Sequence, residues 1–248
     1  SIGDDLRGRR AISHLADHGV VTDHLTVVEN VPTGYVQASV DTNGVADYLF
    51  PDDVAWDRLT IEPATQELAP RLKAICFGSL AQRSHHSRAA IHRFLASLPD
   101  SVLKIFDLNI RQNFYSEEII RDSLILADIL KLNDDEIDLL GRLDDLEGSP
   151  EQRLTILVER YGLALGVLTR GAMGSVLVSS TTVSDHPGFE AEVVDTIGAG
   201  DSFTAVIAMG MLKGYPLEKI NEHANRVASH VCSRRGAMVV LPEELRKF

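Results

Sequence analysis

From Leu72 to the end of the chain, compact apolar runs alternate with longer segments of helical periodicity, and this alternation constrains the fold more than any other feature. Residues 74–78, 103–108, 129–132, 165–169, 175–179 and 192–194 read as strands; several are apolar throughout, as expected of parallel strands covered on both faces. Residues 87–98, 117–127, 134–140, 150–161, 201–213 and 217–233 read as helices between and after them. Strand, helix, strand in succession predicts an α/β fold with a mostly parallel, doubly wound sheet flanked by helices.

The first fifty residues differ. Residues 6–18 carry apolar side chains at helical spacing and stop at Gly19. Short β-rich runs follow at 25–29, 34–40 and 47–50, separated by Val-Pro-Thr and by the turn-like Asp41-Thr-Asn-Gly44. They predict a small separate sheet over residues 25–50, with 1–24 and 51–248 forming the main α/β body.

A chain of 248 residues can bury a sizeable core. It has no apolar run near the roughly 18 residues needed to span a bilayer and no signal-peptide pattern at its start, so no membrane partner is expected. The net charge of −12 disfavours nonspecific nucleic-acid binding, since a polyanion is repelled. Cys76 and Cys232 are distant in sequence and lie in apolar contexts; a disulfide between them stays open, with reduced core thiols of a cytoplasmic protein expected.

The run Asp195-Thr-Ile-Gly-Ala-Gly-Asp201 lies between a β-rich segment and a helical one. Gly198 and Gly200, with Ala199 between them, let backbone N–H groups crowd together at a helix N-terminus, a nest suited to an anion. Asp201 then stands at the helix start, where the helix dipole favours its charged form and where it can take a proton from an attacking hydroxyl. A plain strand-to-helix turn capped by Asp201 is the alternative.

The whole string, followed by Ser-Phe, resembles the C-terminal signature of the ribokinase-like (PfkB) sugar kinase family. Further stretches match in the expected order: Gly3-Asp-Asp-Leu-Arg-Gly8, Gly19-Val20, Pro32-Thr-Gly34, Asp107-Leu-Asn109-Ile-Arg111 as in the fructokinase branch, Asn133-Asp-Asp-Glu136, Thr169-Arg-Gly171-Ala-Met-Gly174, and Asn225 ahead of Gly236. The resemblance implies a ribokinase-like fold with residues 25–50 as a β-rich lid. It implies transfer of a phosphoryl group from ATP to a primary hydroxyl of a ketose, with fructose to fructose 6-phosphate favoured by the 107–111 match. Ribose, 2-keto-3-deoxygluconate or a nucleoside as acceptor, and a catalytically silent sugar- or nucleotide-binding regulator, stay open.

On the same resemblance, Asp201 is the catalytic base and the amides from Ile197 to Gly200 (Gly198, Ala199 and Gly200 foremost) hold the phosphoryl oxygens. Asn109 and Arg111 join Asp201 at the sugar. Asn133, Thr169, Gly171, Gly174, Gly200 and Asn225 line the nucleotide. Glu136 meets Mg2+ through water. Asp195, Ile197, Arg234 and Gly236 can gather K+, and a homodimer through the lid is expected. The residues alone also allow plainer roles: Asn133 as a helix cap followed by dipole-complementing acids, and Arg111 in a surface ion pair. His14 and His18, four apart on a helix, lack an evident third ligand and read as surface residues. His85 and His86 read as a solvated polar loop, and Trp56 as core packing.

Family members normally open with a strand carrying an early Asp and then a Gly-Gly-x-x-x-Asn segment that holds sugar hydroxyls. Neither precedes Ser1. On the resemblance, the chain lacks that opening segment, a slot is expected beside a central strand, and the 248 residues alone are expected to fold poorly or bind sugar weakly.

Overall fold

The computed structural model describes residues 1–40 and 46–248, with the side chains of 38–40 and 46–48 left aside. The expected turn at 41–44 lies outside the described residues. In chain order the elements are β1 (Ile2–Gly3), α1 (Leu6–Asp17), β2 (Val27–Val28), β3 (Gln37–Val40), β4 (Ala46–Leu49), α2 (Pro63–Gln66), β5 (Ala74–Gly78), α3 (His85–Ser97), β6 (Leu103–Asp107), α4 (Glu117–Leu126), β7 (Ile129–Asn133), α5 (Asp134–Leu143), α6 (Pro150–Tyr161), β8 (Leu165–Thr169), β9 (Ser175–Val178), β10 (Val183–His186), α7 (Ala199–Leu212), α8 (Leu217–Cys232) and α9 (Glu243–Arg246). They form two compact units, one of residues 1–72 with 80–99 and one of residues 73–79 with 100–248.

In the first unit, β1 pairs in parallel with β2, and β3 pairs antiparallel with β4, Gln37 opposite Leu49. Asp5 starts α1 as its N-cap, accepting from the Gly8 N–H at 2.8 Å, and also accepts from the Thr33 N–H and hydroxyl at 2.8 and 2.7 Å. These donors, Gly8 first and Thr33 next, pull the Asp5 carboxyl down to about 2. The Asp57–Arg83 pair is almost buried, at 2.7 and 2.8 Å. Trp56 fits against Gly34, where any side chain would collide with the indole. His85 and His86 open α3, just after Ser84, whose hydroxyl goes to the Asp57 carbonyl, and are not in a loop as expected. The rings of His14 on α1 and His18 just after it lie 4.6 Å apart, tilted by 59°, and among the described residues no cluster of His, Cys, Asp or Glu is arranged to hold a metal.

The second unit holds the main sheet, in the order β10-β9-β8-β7-β6-β5. β5 to β8 are parallel, and β9 and β10 are antiparallel to their neighbours. Ile105, Ile129, Leu165 and Val167 face α7 and α8, packing on Phe203, Ile207, Ile220 and Ala224. Burial of each large apolar side chain stabilises by about 1.5–3 kcal/mol. On the opposite face Gly166 leaves room for Leu154 and Val158 of α6. Cap signals start the helices where the sequence places them: Ser116 for α4, Asn133 with Glu136 as a capping box for α5, and Ser149 with Gln152 and Pro150 for α6.

Three expectations fail. Residues 192–194 form no strand; Val193 and Val194 are about 60% exposed, at 62% and 60%, and the Val194 and Asp195 N–H groups go to the Cys232 carbonyl instead. Their β-branched composition had no partner strand to act on. The strand β10 was not foreseen, because Val183–His186 has three polar side chains in a row and is largely exposed. Neither cysteine is a core residue: both are free, Cys76 exposed on β5 at the end of the sheet and Cys232 half-buried. Among the described residues no helix is long and apolar enough to cross a membrane.

Candidate active site

The parallel strands β6, β7 and β8 end at Asp107, Asn133 and Thr169, so the residues singled out from the sequence gather at the carboxyl edge of the sheet, where open α/β folds take ligands. α7 begins in the same unit with Gly198 at φ 82°, a left-handed conformation in which a side chain would be strained. A Cβ there would also lie 2.6 Å from the Ala237 carbonyl oxygen, so the 234–237 loop presses directly on the glycine turn.

Asp195 fastens these two loops. One carboxylate oxygen accepts from the Ile197 N–H and the other from the Gly236 N–H, both at 3.0 Å. The two backbone donors, Ile197 first, hold its carboxyl below the usual aspartate range. Ala199 N–H turns back to the Thr196 carbonyl at 3.3 Å. Of the amides expected to form a nest, Ile197 and Ala199 are therefore engaged within the turn, and those of Gly198 and Gly200 have no acceptor among the described residues. Asp201 is exposed in the first turn of α7 beside them.

Beneath the turn lies a buried charge pair that sequence reasoning passed over. Lys131 Nζ donates to both oxygens of Asp107 at 3.0 Å, and the Thr204 hydroxyl lies 3.0 Å from Asp107 Oδ2 and 3.0 Å from the Gly200 carbonyl. The available signal was a lysine inside the apolar run Ile-Leu-Lys-Leu of β7.

Glu136 is almost fully buried and accepts from the Ile110 N–H at 2.7 Å and the Asn133 N–H at 3.0 Å, while Asn133 caps the Glu136 N–H at 3.0 Å. Burial raises its carboxyl above the usual range against the pull of those donors. By holding Ile110, Glu136 fixes the loop after β6, where Asn109 and Gln112 take left-handed φ values of 43° and 48°. Such backbone costs about 1–3 kcal/mol per residue and persists only where the surroundings enforce it. Arg111, between them, is exposed and donates to its neighbour's carbonyl at 3.1 Å.

The 169–174 segment is a tight turn. The Arg170 N–H donates to the Gly174 carbonyl at 2.7 Å, and the Arg170 guanidinium pairs with Asp185 and Glu151. Gly174, at φ 77°, sits so close to His186 and Gly188 that a side chain could not be placed. Asn225 points into a buried knot. Its amide nitrogen donates to Ser175 Oγ at 2.7 Å and to the Asn221 carbonyl at 2.8 Å, and Asn221 in turn donates to the Ser184 carbonyl at 2.9 Å. Asn221 was not singled out, although its spacing of four from Asn225 on one helix face is visible in the sequence.

The model of the pfkB family carbohydrate kinases matches residues 1–244. The chain belongs to that family. It is a carbohydrate kinase, a phosphotransferase, with a ribokinase-like fold. A Pyrococcus horikoshii protein described as an uncharacterized sugar kinase is 31% identical over 245 residues, covering 95% of this chain and 74% of the relative. Its crystal structure in complex with ATP superposes with a TM-score of 0.77 at 28% identity, over 95% of this chain and 76% of that one. Fructokinase-2 of rice (Oryza sativa subsp. japonica) is 25% identical over 97% of this chain and 74% of its own length. The ribokinase structure from Thermotoga maritima, 20% identical with a TM-score of 0.74 over 95% of this chain and 74% of that one, supports the fold alone. The chain thus spans about three quarters of the relatives it matches.

Proposed function

We propose that this sugar kinase transfers the terminal phosphoryl group of ATP to a primary hydroxyl of a ketose, converting fructose to fructose 6-phosphate. The observation that carries the proposal is the start of α7: an exposed Asp201 next to two glycine amides, Gly198 and Gly200, that no acceptor among the described residues engages. In this reading Asp201 takes the proton of the attacking hydroxyl, and the two N–H groups meet the transferring phosphoryl oxygens as their charge redistributes. The match to rice fructokinase and the Asp107-Leu-Asn-Ile-Arg111 segment favour fructose, with Asn109 and Arg111 at the sugar.

The ATP-bound relative supports ATP as donor. Asn133, Thr169, Gly171, Gly174 and Gly200 are assigned to the nucleotide, as is Asn225 through its side-chain oxygen. Mg2+ fits beside Glu136 as an outer-sphere neighbour, because each carboxylate oxygen takes one backbone N–H and keeps a further lone pair for a metal-bound water. Bound there it would draw charge from the nucleotide phosphates. K+ is assigned to the loop pair fastened by Asp195, with carbonyls of Ile197, Arg234 and Gly236 as oxygen donors. Residues 25–50, which include the β3–β4 ladder, are proposed as the lid and as a dimer contact, in a cytoplasmic enzyme.

The test is ADP release from ATP across a panel of fructose, ribose, 2-keto-3-deoxygluconate and a nucleoside. Fructose is expected to give the highest kcat/KM. A higher value for another acceptor replaces the substrate; no ADP release with any acceptor, against retained nucleotide binding, favours a silent regulator.

A further inference from the structure

Along the face of the sheet that meets α7 and α8, Ile105 and Ile129 belong to the apolar core, and two residues further on the same strands present Asp107 and Lys131, paired in register. Both are nine-tenths buried, with side-chain exposures of 10% each. A buried ion pair is a poor source of stability, because desolvation cancels most of the attraction, and apolar replacements of similar volume are often neutral or better. What this pair touches is more informative. The Thr204 hydroxyl, one helical turn after Gly200, lies 3.0 Å from both Asp107 Oδ2 and the Gly200 carbonyl, its single proton shared between them. A Cβ on Gly200 would lie 3.1 Å from Lys131 Nζ, so the ammonium sits directly under the glycine turn.

We propose that Asp107, Lys131 and Thr204 are positioning residues for phosphoryl transfer: they fix the Gly200 peptide to the sheet and thereby set the aim of the Gly200 N–H and of Asp201. The inference rests on the reading of the α7 start as the transfer site. It implies that the network governs turnover more than nucleotide affinity, because most residues assigned to the nucleotide (Asn133, Thr169, Gly171, Gly174 and Asn225) lie outside the α7 start. A misplacement of about 1 Å at such a centre can lower a rate by about a hundredfold.

The experiment compares wild type with Thr204→Val, Thr204→Ser, the double variant Asp107→Leu/Lys131→Met, and Asp201→Asn as reference. Steady-state ADP release with fructose and ATP gives kcat and KM, urea titration gives stability, and amide hydrogen exchange is followed over residues 196–204. Thr204→Val is expected to lower kcat about tenfold or more, to leave KM for ATP within about twofold, and to speed exchange at residues 198–202. Thr204→Ser is expected to restore both. The double variant, with its charges removed together, is expected to keep the wild-type urea midpoint and still lose turnover. A kcat within about twofold of wild type in both Thr204→Val and the double variant overturns the proposal, as does unchanged exchange over 198–202 in Thr204→Val, which is read even if fructose is not turned over. Wild-type turnover in Asp201→Asn overturns instead the reading of the α7 start as the site.

Discussion

The start of α7 and the middle of α8 are both polar, belong to one unit, and treat their hydrogen-bonding groups in opposite ways. In the α8 knot, Asn221, Asn225, Ser175 and Ser184 are buried and spend their donors on one another, joining the helix to β9 and β10. At the start of α7, the Gly198 and Gly200 amides and the Asp201 carboxylate have no partner among the described residues, although groups around them are fastened: Asp195 to two amides, Glu136 to two more, Thr204 to Gly200. Saturated polar clusters specify packing, whereas a rigid surround with a few uncommitted groups is what differential binding of a transition state requires.

The contrast can be broken most severely at Asp201. Asp201→Asn should lower turnover by about 10²–10⁴, with the urea midpoint and ATP binding near wild type, since the exposed side chain holds nothing in place. Wild-type turnover would remove the functional half of the comparison. Gly198→Ala comes next. The added methyl meets Ala237 at a left-handed φ, so the turn must move and kcat should fall by about tenfold to a hundredfold. The far-ultraviolet circular dichroism should be unchanged.

The α8 knot should respond in the other currency. Asn221→Leu leaves the Ser184 carbonyl and the Ser175 hydroxyl short of partners and should cost about 1–3 kcal/mol in urea unfolding. The active-site turnover per folded molecule should stay close to wild type. A large change in KM for ATP without loss of stability would instead show that Asn221, like Asn225, serves the nucleotide. The smallest effect concerns acid. Asp195 has a depressed pKa in the folded protein, so its contribution to stability is fully present above the unfolded aspartate value of about 3.9 and is lost as pH falls through the lower folded value. The gap in urea midpoint between wild type and Asp195→Asn should therefore be constant above about pH 5 and narrow toward about pH 3. A gap that widened with acid would show that the carboxylate is not held by those amides.

The parts of this arrangement that were legible in the sequence are those written in local chemistry. The apolar runs of β5 to β8, the Asn133–Glu136 capping box and the glycine turn before α7 each announce themselves over a few residues. What escaped depends on partners remote in sequence. Val193 and Val194 look like a strand and lack a neighbour to pair with; Val183–His186 looks like a loop and gains one in β9. Lys131 reads as an interruption of an apolar strand until Asp107 and Thr204 are brought beside it. Glu136 was legible as an acid in the first turn of a helix capped by Asn133, but its hold on Ile110 required the loop after β6 to fold back.

The bond from Gly236 to Asp195 has a further consequence. Because Gly198 also abuts Ala237, the glycine turn and the last loop before α9 form one mechanical piece, though some forty residues of chain separate them. The Gly236 amide is then a natural reporter: the chemical shift and solvent exchange of this one proton register any disturbance of the turn, from a place on the chain that the reacting groups do not occupy.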